Sequence, residues 1–248
     1  MTCVYDSAFI ELKNAYDKIN VVDVGASRGA FLVELEKIFK LEDVYAIGID
    51  PFNYPVDDGY TLPEDIDDSH RVMDHYDKFF QICVDNVESP TKKEFFINSD
   101  FQTSSLCKLQ TENLSTDLND KNKFYYSQSI LDKITQIQEV VEVDVLNLDT
   151  LINEELPEGI VHFIKIDTEG KDLNIVKSLS DDTLGRTKFI CIECPNFISR
   201  FEGEANKQEC VDYFESKNFK VFDFINYEED LTNRQPMSDV VFINGDNV

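Results

Sequence analysis

The chain is poor in basic residues. Only 23 of its 248 residues are Lys or Arg, against 49 Asp or Glu, which gives a formal net charge of −26. This deficit argues against DNA or tRNA as the main partner, because affinity for a phosphate backbone comes mainly from Lys and Arg. It also disfavours docking on an anionic membrane. A hydrophobic fraction of 42% indicates a folded domain. The excess of negative charge suits a neutral or cationic small ligand better than a polyanion.

Long apolar runs and a dense cysteine framework are lacking as well. No apolar stretch approaches the ~20 residues of a membrane helix, and charged residues interrupt positions 1–20, where a signal peptide would need an apolar core. The six cysteines are scattered, which does not suit a disulfide scaffold. Cys191 and Cys194 have CxxC spacing, but no second pair completes a zinc site, so we interpret them as core thiols. These absences predict a reduced, soluble, cytoplasmic protein without a membrane span.

Strand-like and helix-like patterns alternate along the chain. Strands are predicted at 21–24, 44–49, 79–84, 140–145, 161–166 and 188–192, and helices at 30–40, 171–179 and 207–217. A strand at 94–98 is expected to pair with 79–84 across the turn at 88–90. The last two strands, 220–224 and 239–243, are expected to form an antiparallel edge hairpin. The pattern predicts an α/β fold with a mostly parallel sheet and helices on both faces.

Two polar segments interrupt this alternation within what we interpret as a single domain, 1–248. They lie at about 54–78 and 107–138, and the second has an amphipathic half at 130–137. Each is either a solvated insertion or a lid over a ligand crevice.

Five predicted strands end in a carboxylate. These residues are Asp23, Asp50, Asp85, Asp167 and Glu193. Any one of them could cap a helix, but ligands of open parallel sheets bind outside the carboxyl ends of the strands. Buried carboxylates are also costly unless they are paired or bound. We therefore interpret the five as the rim of one polar site.

The turn after the first strand indicates the ligand class. Residues 25–29 form a glycine turn, and Asp50 lies 21 residues beyond Gly29, which is similar to the layout in which an acid binds ribose hydroxyls. Ser27 stands where a dinucleotide fingerprint has its middle glycine, so a pyrophosphate is disfavoured. S-adenosylmethionine has adenosine without a pyrophosphate, and its positive charges suit a carboxylate-lined crevice.

Lys165 interrupts an apolar strand. Strand alternation places Phe163, Lys165 and Asp167 on one side, and a buried lysine needs a carboxylate partner. Asp167 and Glu193 are the candidates. Two interpretations stay open: a structural ion pair, or a lysine that orients a carboxylate beside a reacting hydroxyl.

Together these motifs resemble the FkbM family of S-adenosylmethionine-dependent methyltransferases. The resemblance spans about 21–242 and is carried by VDVGASRG, IGIDP, FFIN leading to Thr103–Leu106, the segment EVDVLNLDTLI interpreted as a strand pair, KIDTEG, and IEC. Ser27 replaces a frequent Asn, Asp50-Pro51 replaces Glu-Pro, and Asp172 replaces the last Glu of the KIDxEGxE pattern. The resemblance implies a Rossmann-like class I methyltransferase fold with a seven-stranded sheet.

The resemblance also implies O-methylation, commonly of a sugar hydroxyl in a glycan or of a polyketide-type metabolite. The turn would pass under the methionine part of the cofactor, Asp50 would bind the ribose, and Phe52, Asp85 and Asn86 would contact the adenine. The implied cofactor-binding set is Asp23, Gly25, Ala26, Ser27, Arg28, Gly29, Asp50, Pro51, Phe52, Asp85, Asn86, Ser104, Ser105 and Asp167. The implied catalytic set is Asp167, our first candidate for the proton acceptor, with Lys165, Glu169 and Glu193.

Further expectations concern the histidines, metals and partners. His162 is expected in the core, and His70 and His75 would reach the site only if the first insertion covers it. No metal site is predicted, although a divalent ion bridging Asp167, Glu169 or Glu193 to a diol stays open. Two other functions stay open: a non-catalytic methyltransferase-like module in a glycan-assembly complex, and a nicotinamide-dependent oxidoreductase, which Ser27 disfavours. No oligomeric state is predicted.

Overall fold

The computed structural model describes residues 4–27, 29–52, 76–99, 103–117, 120, 123–229 and 234–245. Predictions for Arg28, His70 and His75, and for all but the last three residues of the first insertion, lie outside the described residues.

The described chain contains twelve strands and seven helices. The strands are β1 Ile19–Val24, β2 Val44–Ile49, β3 Lys78–Phe80, β4 Cys83–Val84, β5 Thr91–Asn98, β6 Leu114–Ser115, β7 Phe124–Tyr125, β8 Ile137–Leu146, β9 Val161–Ile166, β10 Thr187–Pro195, β11 Phe219–Glu229 and β12 Arg234–Asn244. The helices are α1 Asp6–Ala15, α2 Ala30–Glu36, α3 Gln128–Thr135, α4 Leu148–Glu155, α5 Asp172–Val176, α6 Asp181–Gly185 and α7 Lys207–Ser216. None of these helices is long and apolar enough to cross a membrane.

A seven-stranded sheet forms the centre, in the order β3-β2-β1-β9-β10-β12-β11. Neighbouring strands are parallel except for β12, which runs antiparallel to both β10 and β11. This confirms the predicted mostly parallel sheet with an antiparallel edge hairpin. The winding direction reverses between β1 and β9, and in such sheets ligands bind at the carboxyl ends of the strands beside the reversal.

Both faces of the sheet are covered, which is why its central strands lack a polar face. All six residues of β9 are buried. Ile164 joins a cluster with α4, α5, α6 and α7 on one face. Phe163, the preceding residue, joins a cluster with α1 and α2 on the other. The predicted two-sided helix cover is therefore confirmed.

The predicted pairing of strand 94–98 is wrong. β5 pairs antiparallel with β8, from Thr91 opposite Val145 to Asn98 opposite Ile137, while β4 pairs parallel with β8 in the same small sheet. The predicted strand 79–84 is divided: β3 joins the central sheet and β4 leaves it. A two-residue strand cannot offer β5 a long ladder, whereas the ten residues of β8 can.

The predicted strand pair at 142–152 is also wrong in its second half. Asn147 ends the strand because its side chain accepts a hydrogen bond from the Asp149 backbone N–H and caps α4. Leu148, Leu151 and Ile152 are then buried with the spacing of one helical face.

The second insertion packs on the loop that follows β10. The Gln110 N–H donates to the Arg200 carbonyl at 2.7 Å, and the Glu202 N–H donates to the Lys108 carbonyl at 2.9 Å. Farther along, Leu114, Phe124 and Ile134 form an apolar cluster with Met237 of β12. These contacts fit a wall of the crevice better than a solvated excursion.

Candidate functional site

The glycine turn packs directly against the end of β9. Gly25 has a left-handed φ of +74°, and a Cβ placed there would lie 1.8 Å from the Asp167 carbonyl oxygen. The N–H groups of Gly25 and Ala26 donate to the Ile49 carbonyl at 2.9 and 3.1 Å. The turn is therefore held between the ends of β2 and β9, and a side chain at Gly25 has no room.

Asp50 is bound to this turn. Its Oδ2 accepts from the Ser27 N–H at 2.9 Å, and its Oδ1 accepts from the Phe52 N–H at 2.9 Å. Burial raises the pKa of Asp50 to about 6, although the two backbone N–H donors oppose the shift. Because each carboxylate oxygen can accept a second hydrogen bond, the oriented carboxylate could bind two neighbouring hydroxyls.

Lys165 bridges two strand-end acids. Its ammonium donates to the Gly25 carbonyl at 2.9 Å and lies 3.4 Å from Asp23 Oδ1 and 3.5 Å from Asp167 Oδ2. Burial alone would lower the pKa of Lys165, but the two carboxylates reverse this and raise it. Of the two predicted partners only Asp167 is confirmed, because Glu193 binds another residue and Asp23 takes its place.

Asp23 is fully buried, at 0% exposure. The Tyr76 hydroxyl donates to its Oδ2. Burial raises the pKa of Asp23, while Lys165 and Tyr76 oppose the rise. Asp23 therefore contributes to the site mainly by holding the lysine.

A second charged cluster surrounds Arg200. Its Nη2 lies 2.7 Å from Glu193 Oε2, 3.2 Å from Glu169 Oε2 and 3.5 Å from Glu204 Oε1. Burial, opposed by Arg200 and reinforced by repulsion from Asp167, raises the pKa of Glu193 to about 7. Burial likewise raises the pKa of Glu169 well above its ordinary value.

Three predicted catalytic carboxylates converge in this region. Oxygens of Asp167, Glu169 and Glu193 all lie within 4.8 Å of one another, and such an oxygen set could hold a divalent cation. The Arg200 guanidinium already contacts two of the three, so it supplies positive charge where a metal would.

Asp85 has a full set of protein partners. It accepts from Lys93 Nζ at 2.6 Å, Asn174 Nδ2 at 2.7 Å and the Asn86 N–H at 2.8 Å, and Lys171 Nζ lies 3.6 Å away. Burial would raise its pKa, but these partners lower it. Asp85 thus ties β5 to α5, and its contact with an adenine edge stays a prediction.

The two predicted serines are also committed to the protein. The Ser105 hydroxyl donates to the Glu169 carbonyl at 2.6 Å and accepts from the Cys107 N–H at 2.9 Å. Ser104 Oγ accepts from the Asn98 N–H at 3.1 Å. Ser105 therefore ties the segment before the second insertion to the KIDTEG loop and helps to place Glu169, whereas Ser104 ties the same segment to β5.

Sequence reasoning missed four residues of this region. Arg200 and Glu204 lie in the loop after β10, Asp239 lies opposite Glu193 on β12, and Tyr126 of the second insertion lies close enough to Arg200 to interact with it electrostatically. Asp239 begins a predicted strand instead of ending one, and the second insertion, which carries Tyr126, contains no recognisable motif. The one signal in the sequence was Arg200 with Glu204 four residues later, soon after the strand-end acid Glu193.

His162 lies at the other side of the core, as predicted. Its Nδ1 accepts from the Asn20 N–H at 2.9 Å, and its ring packs edge-on against Tyr16. Burial lowers the pKa of His162 to about 4, so the ring is neutral at physiological pH.

The doubly wound sheet and its glycine turn, with Asp50 seated on that turn, define a Rossmann-like class I methyltransferase fold. A sequence model described as the methyltransferase FkbM domain matches residues 23–221. The chain therefore belongs to the FkbM family of S-adenosylmethionine-dependent methyltransferases, which confirms the resemblance and sets aside the oxidoreductase.

Several solved structures are similar to this chain at low identity. Magnesium protoporphyrin IX methyltransferase (ChlM) from Synechocystis PCC 6803, with bound SAH, is 7% identical with a TM-score of 0.43, over 97% of this chain and 81% of that one. The N-methyltransferase NodS from Bradyrhizobium japonicum WM9 is 9% identical with a TM-score of 0.40, over 96% and 93%. The 1,6-didemethyltoxoflavin-N1-methyltransferase from Burkholderia thailandensis is 10% identical with a TM-score of 0.40, over 98% and 78%. No curated protein matches the sequence.

Proposed function

We propose that the chain is an O-methyltransferase that transfers a methyl group from S-adenosylmethionine to a sugar hydroxyl in a glycan. The convergence of Asp167, Glu169 and Glu193 beside the glycine turn carries this proposal. A hydroxyl loses a proton when it is methylated, so an O-methyltransferase needs a proton acceptor next to the methyl donor. The crevice offers three.

The residues around the turn suit the donor. Asp50, already oriented by two backbone N–H groups, would accept from the ribose hydroxyls, with Pro51 and Phe52 beside it. The turn from Gly25 to Gly29 would run under the methionine portion. The surplus of carboxylates over cations in the crevice favours a ligand with a net positive charge.

Bound S-adenosylmethionine supplies an electrophilic methyl group on its sulfonium. The protein must hold the hydroxyl oxygen ~3 Å from that carbon and remove the hydroxyl proton as the oxygen–carbon bond forms. Asp167 is our first candidate, because its half-exposed carboxylate is held by Lys165 at 3.5 Å. Glu193 and Glu169 are the next candidates.

The charge of the crevice supports a neutral acceptor. A phosphorylated acceptor would be repelled by the carboxylates of Asp167, Glu169 and Glu193. The second insertion would form a wall of the acceptor pocket, since it is bound to the loop that carries Arg200. A scaffold without activity has no need of three converging carboxylates, which disfavours the binding-module alternative.

We also propose a cytoplasmic location. The five cysteines in the described part of the chain are free and buried, which suits a reducing compartment.

The role of Asp50 can be tested with a matched pair of variants. Asp50→Asn should weaken S-adenosylmethionine binding about 30- to 100-fold, because the amide loses the charge and cannot accept from two hydroxyls while facing two N–H donors. Asp77→Asn is the control: its carboxylate also accepts a backbone N–H on β2, from Ala46 at 2.8 Å, but away from the turn. Isothermal titration should show loss of affinity in the first variant alone; equal affinities would exclude the ribose role.

The same carboxylate predicts a pH dependence of cofactor binding. The binding form is the ionised one, and the pKa of Asp50 is about 6 in the free protein. Affinity for S-adenosylmethionine should therefore be full above pH 7 and fall as the pH drops through about 6. The Asp50→Asn variant should lack this step, and a step of equal size in that variant would assign it to another group.

The acceptor chemistry is tested by incubating the protein with isotope-labelled S-adenosylmethionine and a panel of unmethylated sugars and glycans. Mass spectrometry should find the label on a sugar oxygen. Label on nitrogen, or none on any hydroxyl acceptor by a protein that binds the cofactor, would contradict the proposal.

A further inference from the structure

Arg200 is in contact with three carboxylates, and it lies outside the motifs that carry the family resemblance. Its side chain is 10% exposed, and its Nη2 lies within 3.5 Å of Glu193, Glu169 and Glu204. One guanidinium cannot neutralise three carboxylates, so the cluster carries excess negative charge in a buried place. Such a cluster favours retention of a proton on one carboxyl.

The three glutamates differ in what else binds them. The Glu204 carboxylate accepts from the backbone N–H groups of Arg200 and Phe201 and is 5% exposed, whereas the side chains of Glu169 and Glu193 are 17% and 19% exposed. Glu204 is therefore committed to the loop. Glu169 and Glu193 keep access to the crevice.

We infer that Arg200 is a positioning residue for proton transfer, which holds Glu169 and Glu193 together as one proton-sharing pair at the acceptor side of the crevice. This inference rests on the proposed O-methyl transfer. A pair that binds a single proton near neutral pH can accept the proton that a hydroxyl loses, and can release it to water afterwards. The pKa of Glu193, raised to about 7 by burial, matches that task.

Other charged groups also face the pair. Asp167 at the end of β9 and Asp239 on β12 repel its negative charge, as does Glu204. Tyr126 of the second insertion interacts electrostatically with Arg200. Arg200 is the cation in contact with both carboxylates, so its removal should strengthen proton binding by the pair.

The loop should keep its fold without the guanidinium. Its backbone is held by bonds that do not involve the Arg200 side chain: Gln110 N–H to the Arg200 carbonyl at 2.7 Å, and Asn113 Nδ2 to the Ser199 carbonyl at 2.9 Å. Arg200→Met keeps the aliphatic length and deletes the charge. Arg200→Lys keeps the charge, but its side chain is shorter than that of arginine and reaches less far toward the two carboxylates, which Nη2 of Arg200 contacts together.

The test is a carboxyl titration that needs no acceptor. Protein labelled with ¹³C at the glutamate side-chain carboxyls is followed by NMR across pH, and Glu193→Gln assigns the signal. The wild type should titrate near neutral pH, and Arg200→Met should titrate about one to two pH units higher, because a charge-assisted hydrogen bond to the ionised form is lost. Arg200→Lys should lie between them.

Lys188→Met is the matched control. Lys188 is as buried as Arg200, at 7% exposure, but pairs with Glu11 on another part of the core, so the Glu193 signal should not move. An unmoved Glu193 titration in a folded Arg200→Met protein would overturn the inference. If that variant fails to fold, an unmoved titration in Arg200→Lys overturns it.

The titration also separates this inference from the proposed function. A wild type that binds S-adenosylmethionine but methylates no hydroxyl would refute the O-methyl transfer while leaving the carboxyl titration intact. Once an acceptor is known, the acid limb of kcat/KM should move to higher pH in Arg200→Met, with cofactor affinity unchanged. A uniform loss of activity at every pH would indicate a purely structural arginine.

Discussion

Gly25→Ala is expected to abolish S-adenosylmethionine binding and to lower the thermal unfolding midpoint by roughly 10 °C, for a loss of about 3–5 kcal/mol. The new Cβ would lie 1.8 Å from the Asp167 carbonyl oxygen at a φ of +74°. Either the turn or the end of β9 must move, and both carry site residues. Circular dichroism and isothermal titration measure the two effects.

Gly203→Ala separates the steric clash of the new Cβ from the cost of placing a side chain at a positive φ, the two causes of the lost stability. Gly203 has almost the same φ, +76°, but its Cβ would meet nothing within 4 Å. Its substitution should therefore show only the conformational cost, about 1 kcal/mol. If Gly25→Ala is no less stable than Gly203→Ala and binds cofactor normally, the close packing of the turn against β9 is not as described.

Lys165→Met should reduce the free energy of unfolding by about 3–5 kcal/mol at neutral pH, since it leaves the fully buried Asp23 without its ammonium partner. The loss should shrink as the pH falls. Burial already raises the pKa of Asp23, so the native state binds a proton more tightly than the unfolded chain, and protonation relieves the unpaired charge. Denaturant unfolding at several pH values measures this.

Lys188→Met is again the matched control. It removes an equally buried lysine, but the Glu11 side chain left behind is 35% exposed and stays hydrated. The decrease in the free energy of unfolding should be smaller in Lys188→Met than in Lys165→Met, and nearly independent of pH between 5 and 8. Equal losses in the two variants would show that Asp23 does not depend on Lys165.

The parts of the site that were predictable lie on strands. Periodic apolar runs placed β1, β2, β9 and β10, and each run ended in an acid, because a parallel sheet exposes polar groups only where its strands stop. Lys165 was predicted to need a carboxylate because it lies inside an apolar strand, where a buried ammonium needs a partner of opposite charge. Its main structural partner, Asp23, lies on the adjacent strand β1, and the identity of that neighbour depends on strand order, which periodicity does not encode.

The parts that were missed depend on contacts between distant segments. The pairing of β5 with β8 joins residues as far apart in sequence as Thr91 and Val145, whereas its predicted partner was a nearby strand that proved to be two residues long. Arg200 and Tyr126 meet only because the second insertion binds the loop after β10. The residues that make these contacts lie outside the amphipathic half at 130–137, so no hydrophobic period predicts the contact.

The assignment of this chain as an S-adenosylmethionine-dependent methyltransferase is tested most directly by isothermal titration of the wild-type protein with S-adenosylmethionine near pH 7.5. It predicts one-to-one binding with a Kd on the order of 1–100 µM, in the range of ordinary enzyme substrates. It also predicts competition by S-adenosylhomocysteine. Absence of binding at millimolar cofactor by the folded protein would contradict it.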